Sequence, residues 1–145
     1  MGAENLAGKP LIDIALPLDG APGEQRSLVV ANTDSRDEQI QRAFPDARVV
    51  KTLNTVHVDV MVDPARVPGQ HNIFVSGNDP EAKRTVSTLL TEFGWQSDAI
   101  LDLGDIRTAR GVEMYAPLLF TLAGVLDTWD FNIAIVQRQR GLKFS

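Results

Sequence analysis

The sequence predicts an α/β protein built on a mostly parallel sheet. Short apolar runs rich in Ile, Val and Leu recur at 10–16, 47–53, 71–77 and 98–103. Amphipathic stretches at 35–44, 79–94 and 105–127 fall between and after them. Strands that alternate with helices pair in parallel through crossovers, so this order points to one α/β layer system.

The elements follow in turn. "PLIDIAL" (10–16) is a buried strand broken only by Asp13, and the turn-rich "PLDGAPG" (17–23) ends it. In "SRDEQIQRAF" (35–44), Ser35 and Glu38 have capping-box spacing, Ile40, Ala43 and Phe44 form an apolar face, and Pro45 stops the helix. "ARVVKTL" (47–53) is the second strand. "NTVHVDVMVD" (54–63) fits either a strand, by the alternation of Val56, Val58, Val60 and Val62, or a short helix. "HNIFVSG" (71–77) is the third strand. In 79–94, Asp79 caps, Pro80 opens and Gly94 closes a helix with Ala82, Val86, Leu89, Leu90 and Phe93 on one face. "DAILDL" (98–103) is the fourth strand. Residues 105–127 form a long last helix with a kink expected at Pro117. Residues 1–136 are expected to be a single domain, with 137–145 a flexible tail.

Composition excludes several classes. The chain has 145 residues, 43% hydrophobic and 23% charged, with a net charge of -5 and a pI near 4.9. This acidic balance argues against a nucleic-acid binder, which usually carries a basic face, so no nucleic-acid partner is expected. There is no cysteine, hence no disulfide, thiolate metal site or thiol nucleophile. The N-terminus lacks an apolar stretch of signal-peptide length, and the most apolar segment, "YAPLLFTLAGVL", is too short to span a bilayer. A cytoplasmic protein is expected, with no membrane partner.

The candidate site lies in "RVVKTLNTVHVDV" (48–60). In open α/β sheets, ligands bind outside the carboxyl ends of the strands. Asn54 stands at such an end. Its carboxamide both donates and accepts, which suits a planar amide such as nicotinamide; equally, Asn54 suits the N-cap of the next helix. Thr55 adds a hydroxyl. Lys51 is expected to lay its stem on apolar surface and carry its ammonium to a strand edge. His57 and His71, 14 residues apart, make no metal-ligand pattern, and no G-x-S-x-G is present. Ser76 serves either a turn beside Gly77 or a ligand. Arg107 and Arg110 serve either an anionic substrate or a solvated face, with Glu113 an i,i+3 partner of Arg110. Met114, Tyr115, Leu118 and Leu119 read as core or interface rather than a flavin pocket.

"VVKTLNTV", preceded by "LAGKPLIDIALPLDG" and followed by "NIFVSGNDPEAKRTVSTLLTEFGW" and "ILDLGDIRTARGVEMYAPL", resembles the NADP oxidoreductase, coenzyme F-420-dependent family, over residues 6–136. The resemblance implies a Rossmann-like fold, NADP as cofactor, and hydride transfer between NADP(H) and a deazaflavin or another small substrate. Asn54 matches the family's cofactor-side asparagine, with Thr55 beside it. Leu16 departs from it, standing before Pro17 where members often have an asparagine facing the cofactor.

The family's first element, a strand and G-x-G-x-x-G turn that hold the pyrophosphate, has no counterpart: no two glycines here lie two apart. The chain is therefore expected to be the second half of the fold, unable to grip NADP alone. A half-sheet leaves an open edge and an apolar face, so a homodimer, or a separate nucleotide-binding half, is expected to cover them. The final helix carries the apolar set for this: Val112, Ala116, Leu119, Ala123 and Leu126, with Tyr115, Leu118 and Leu122 on an adjacent face. The alternative function is a non-catalytic homodimeric interaction module.

Overall fold

The structure is a computed structural model that describes residues 2–20, 24 and 26–138. Its regular elements are β1 (Pro10–Asp13), α1 (Arg36–Ala43), β2 (Arg48–Lys51), α2 (Val58–Val62), β3 (Ile73–Gly77), α3 (Pro80–Glu92), β4 (Ile100–Asp102), α4 (Ala109–Met114) and α5 (Ala116–Leu126). The four strands form one sheet in the order β1-β2-β3-β4. β1 runs parallel to β2, and β3 parallel to β4, but β2 and β3 are antiparallel, with Val50 opposite Gly77 and Lys51 opposite Ser76. The expected α/β fold is present, and its mostly parallel sheet carries this one reversal. The reversal divides the strand ends: β1 and β2 finish at one edge of the sheet, β3 and β4 at the other.

Alternation along β2 sorts its side chains between two helical layers. Val50 faces a core with Leu53, Val56, Val60, Ile73, Val75 and the buried face of α3, Ala82, Val86 and Leu90, closed by Trp95. Val49 faces the other side, against Ala47, Ile106, Leu11 and, from α1, Ile40 and Phe44. Lys51, two residues on from Val49, therefore points to the α1 side.

Local signals act where the sequence places them. Ser35 accepts from the Glu38 amide at 3.1 Å, and the Glu38 carboxylate returns to the Ser35 hydroxyl at 2.7 Å. Asp79 accepts from the Ala82 amide, and Gly94 takes a left-handed φ of 108° just past α3. The ambiguous stretch 54–63 resolves as a buried turn followed by α2. The long final helix is instead two. A 3-10 turn at Ile106–Thr108 leads into α4, which ends at Tyr115; α5 then starts afresh with Pro117 in its first turn. That position needs no N–H, so the proline begins a helix rather than kinking one. Within the described residues after α5, Asn132 holds His71 Nδ1 at 2.8 Å and the Asn72 carbonyl at 2.7 Å. Ile133 accepts from the Asn72 amide. Residues 139–145, most of the expected tail, lie outside the described residues.

Candidate functional site

The carboxyl edge of β1 and β2 gathers the candidate residues. β2 ends at Lys51, and the chain turns at once through Thr52–Val56, all buried. Leu53 turns it with φ 64°, a left-handed conformation unusual for a branched side chain. Buried turns are uncommon, because their backbone groups need partners, and strained backbone gathers at functional sites. The sequence gives no sign of either feature, since leucine has no turn preference.

Asn54 does not cap α2. His57 holds that position, its Nδ1 accepting from the Asp59 amide at 3.4 Å. Asn54 Nδ2 instead donates to the Val112 carbonyl at 3.0 Å, tying the turn to α4. Thr55 is buried, and its hydroxyl has no hydrogen-bond partner among the described residues. Tyr115, at the break between α4 and α5, likewise has an unpartnered hydroxyl, and burial raises its pKa.

Lys51 is not snorkelled. Its side chain is fully buried, and Nζ lies 2.8 Å from Asp13 Oδ2 and 2.8 Å from Glu113 Oε1 while donating also to the Ala15 carbonyl. Asp13 is its partner in the β1–β2 register, on the same face. Glu113 reaches further. Its Oε2 accepts from the Arg36 amide at 2.9 Å and its Oε1 from the Asp37 amide at 3.3 Å, so a carboxylate from α4 caps the start of α1. Arg110 is not the i,i+3 partner of Glu113. It forms a two-pronged pair with Glu38 at 2.7 and 2.9 Å, which holds the Glu38 carboxyl below its usual range. Arg107 is exposed and has no ion pair among the described residues.

The other candidates are structural. Ser76 is buried at the opposite edge, its hydroxyl 2.7 Å from that of Thr108. His71 donates from Nε2 toward the carbonyls of Pro64 and Val67, at 3.0 and 3.1 Å, and its Nδ1 accepts from Asn132. His57 Nδ1 lies 3.6 Å from Asp59 Oδ2, too far for a firm pair. Among the described residues, no group of three or more His, Asp or Glu could hold a metal, and no helix is long and apolar enough to cross a membrane.

The start of α1 offers no free amides for a phosphate. A phosphate needs free amides at a helix start. At α1 those of Arg36, Asp37 and Glu38 are already taken by Glu113 and Ser35, and Glu113 brings negative charge to the spot.

No protein-family model and no curated protein matches the chain. A crystal structure from Arthrobacter sp. FB24, named "a putative f420 dependent nadp-reductase", superposes with a TM-score of 0.89 at 55% identity, covering 94% of this chain. The likeness to the F420-dependent NADP reductases is thereby shown. The chain spans 61% of that reductase's length. A hypothetical protein from Sinorhizobium meliloti is similar at 27% identity with a TM-score of 0.53, over 72% of this chain and 48% of its own. The reductase likeness agrees with the Rossmann-like reading of the sequence and with NADP as the family's cofactor.

Proposed function

We propose that this chain is the substrate-side portion of an NADP-dependent oxidoreductase, one that moves a hydride between NADP(H) and a deazaflavin or another small substrate. The observation that carries this reading is the 55% identity to the Arthrobacter reductase over 94% of the chain. Within it, Asn54 and Thr55 form the cofactor side, on the strained buried turn, with the Thr55 hydroxyl holding spare hydrogen-bonding capacity. The chain alone, which spans 61% of that reductase's length, binds NADP no tighter than the millimolar range, about 4 kcal/mol. Support comes from the absence of any G-x-G-x-x-G and from the occupied amides of α1. Calorimetric titration with NADP and NADPH tests it. Micromolar affinity in the isolated chain refutes this reading, whereas binding that appears only with a fused G-x-G-x-x-G segment supports it.

A second reading has its own observation. α5 leaves Leu118 53%, Val125 76% and Leu126 51% exposed, and Met114 lies exposed on α4. Much of the apolar set expected to pair with another copy, Val112, Ala116, Leu119 and Ala123, is instead buried within the chain. The exposed remainder supports a homodimeric interaction module without cofactor. Light scattering at high micromolar concentration decides: a dimer supports this reading, a compact monomer removes it.

A further inference from the structure

Asp37 has no role in the reading above. It is fully buried in the first turn of α1, and neither carboxyl oxygen accepts a hydrogen bond from any described residue. The charges around it come from three other elements: Asp13 of β1, Lys51 of β2 and Glu113 of α4. On its own helix, Glu38 is turned to Arg110 and Ser35, and the Arg36 guanidinium to Gln39. Lys51 has three hydrogens, and Asp13, Glu113 and the Ala15 carbonyl use them all. One ammonium thus faces three carboxyl groups, two of which it holds directly.

Asp37 can stay in this place only as a donor. Protonated, it brings no charge into this buried site, and its hydroxyl can donate to a neighbouring carboxylate, that of Asp13. Ionised, it is a buried negative charge with no partner, next to two others. The element that meets α1 here is α4, a six-residue helix tied to it by the Glu113 contacts and the Arg110–Glu38 pair. We infer that Asp37 is a proton-operated latch: protonated, it lets α4 close on α1 and the β1–β2 edge through Glu113, and on losing its proton it frees α4 and the first turn of α1 to open locally.

The window follows from the environment. Burial, then the neighbouring Asp13, raise the Asp37 pKa from 3.8 to about 8 in the closed form. Once open, the carboxyl meets water and returns toward its ordinary value. The closed form therefore holds a proton that the open form sheds. Opening grows roughly tenfold per pH unit between those limits and levels off above about pH 8.

Amide hydrogen exchange on the full chain between pH 5 and 9, corrected for intrinsic rates, reads this directly. The opening constants at the Arg36 and Asp37 amides and across residues 110–114 are expected to rise about 50-fold from pH 6 to 8, then level off, and to exceed at every pH that of the core amide of Leu90, which opens with the whole fold. In Asp37→Asn, whose amide stays a neutral donor, they are expected to stay flat. No rise in the wild type, or the same rise in the variant, overturns the latch. Should Asp37→Asn fail to fold, carbon-13 titration of the wild-type carboxyl decides: a midpoint at pH 7 or above supports the inference, and a lower one overturns it.

Discussion

Lys51 and Glu113, 62 residues apart in sequence, close a 2.8 Å ion pair beneath the carboxyl edge of β1 and β2, and Asp13 completes it from the neighbouring strand. The pair joins the sheet, α1 and α4 in one buried charge system. Removing one partner leaves the others uncompensated in a low-dielectric site, which costs more than the pair contributes against an apolar replacement. Lys51→Met is therefore expected to lose about 3–5 kcal/mol at pH 7, measured by urea unfolding. Glu113→Gln should cost less, because its amide oxygen still accepts from the start of α1. A Lys51→Met protein within about 1 kcal/mol of the wild type would contradict this charge assignment.

The elements of the fold were legible because their signals are local: Ser35, Asp79 and Gly94 act at the helix ends where they stand, and the apolar faces of α1 and α3 meet the sheet as their spacing implies. The charge system was not legible. A lysine inside an apolar run reads as a snorkelling side chain until its partner is known, and Glu113 lies far along the sequence. For the same reason Arg110 and Glu113 looked like neighbours on one helix, though each reaches to a different element. Asn54 was correctly placed at the end of β2, but its partner, the Val112 carbonyl, belongs to a helix whose docking no local pattern encodes.

Stability should depend on pH through Asp37. Its folded pKa of about 8 lies above the 3.8 of an unburied aspartate, so between these values the folded state binds more protons than the unfolded state. Stability from this group is thus full at low pH and falls as pH rises, by about 1.4 kcal/mol per unit, until about pH 8. Asp34, lowered to about 2 by its pairing with Arg42, acts in the opposite sense, its contribution lost as pH falls below 4. In Asp37→Asn the decline between pH 5 and 8 should vanish, so the variant gains on the wild type toward pH 8. Parallel pH profiles for the two proteins in chemical denaturation would refute this.

Two glycines should respond oppositely to alanine. At Gly77 an added Cβ would stand 2.8 Å from the Val49 carbonyl oxygen, across the antiparallel β2–β3 junction where backbone cannot yield. Gly77→Ala is expected to cost about 1–3 kcal/mol. At Gly111, exposed on α4, a Cβ meets nothing within 4 Å. Gly111→Ala should stabilise by about 0.5–1 kcal/mol through helix propensity alone. Thermal melts of the two variants moving in the same direction would contradict this assignment of space.

Asn54 and Thr55 are adjacent, and the structure separates what each should do. Asn54→Ala leaves the buried Val112 carbonyl without its 3.0 Å donor, so the isolated chain should lose about 1–3 kcal/mol of stability. Thr55→Val keeps the shape and removes a buried hydroxyl that has no partner among the described residues, so it should be neutral or slightly stabilising. A stabilising loss at a buried turn is what a residue reserved for a ligand produces. In a chain fused to a G-x-G-x-x-G segment, Thr55→Val should therefore weaken NADPH binding by about tenfold, the equivalent of 1.4 kcal/mol, while leaving the melting temperature level or raised. Restoring an asparagine at Leu16, beside Pro17, should act in the opposite direction on binding. If Thr55→Val lowers the melting temperature and leaves NADPH affinity unchanged, the hydroxyl belongs to the packing of the turn and the cofactor side lies elsewhere.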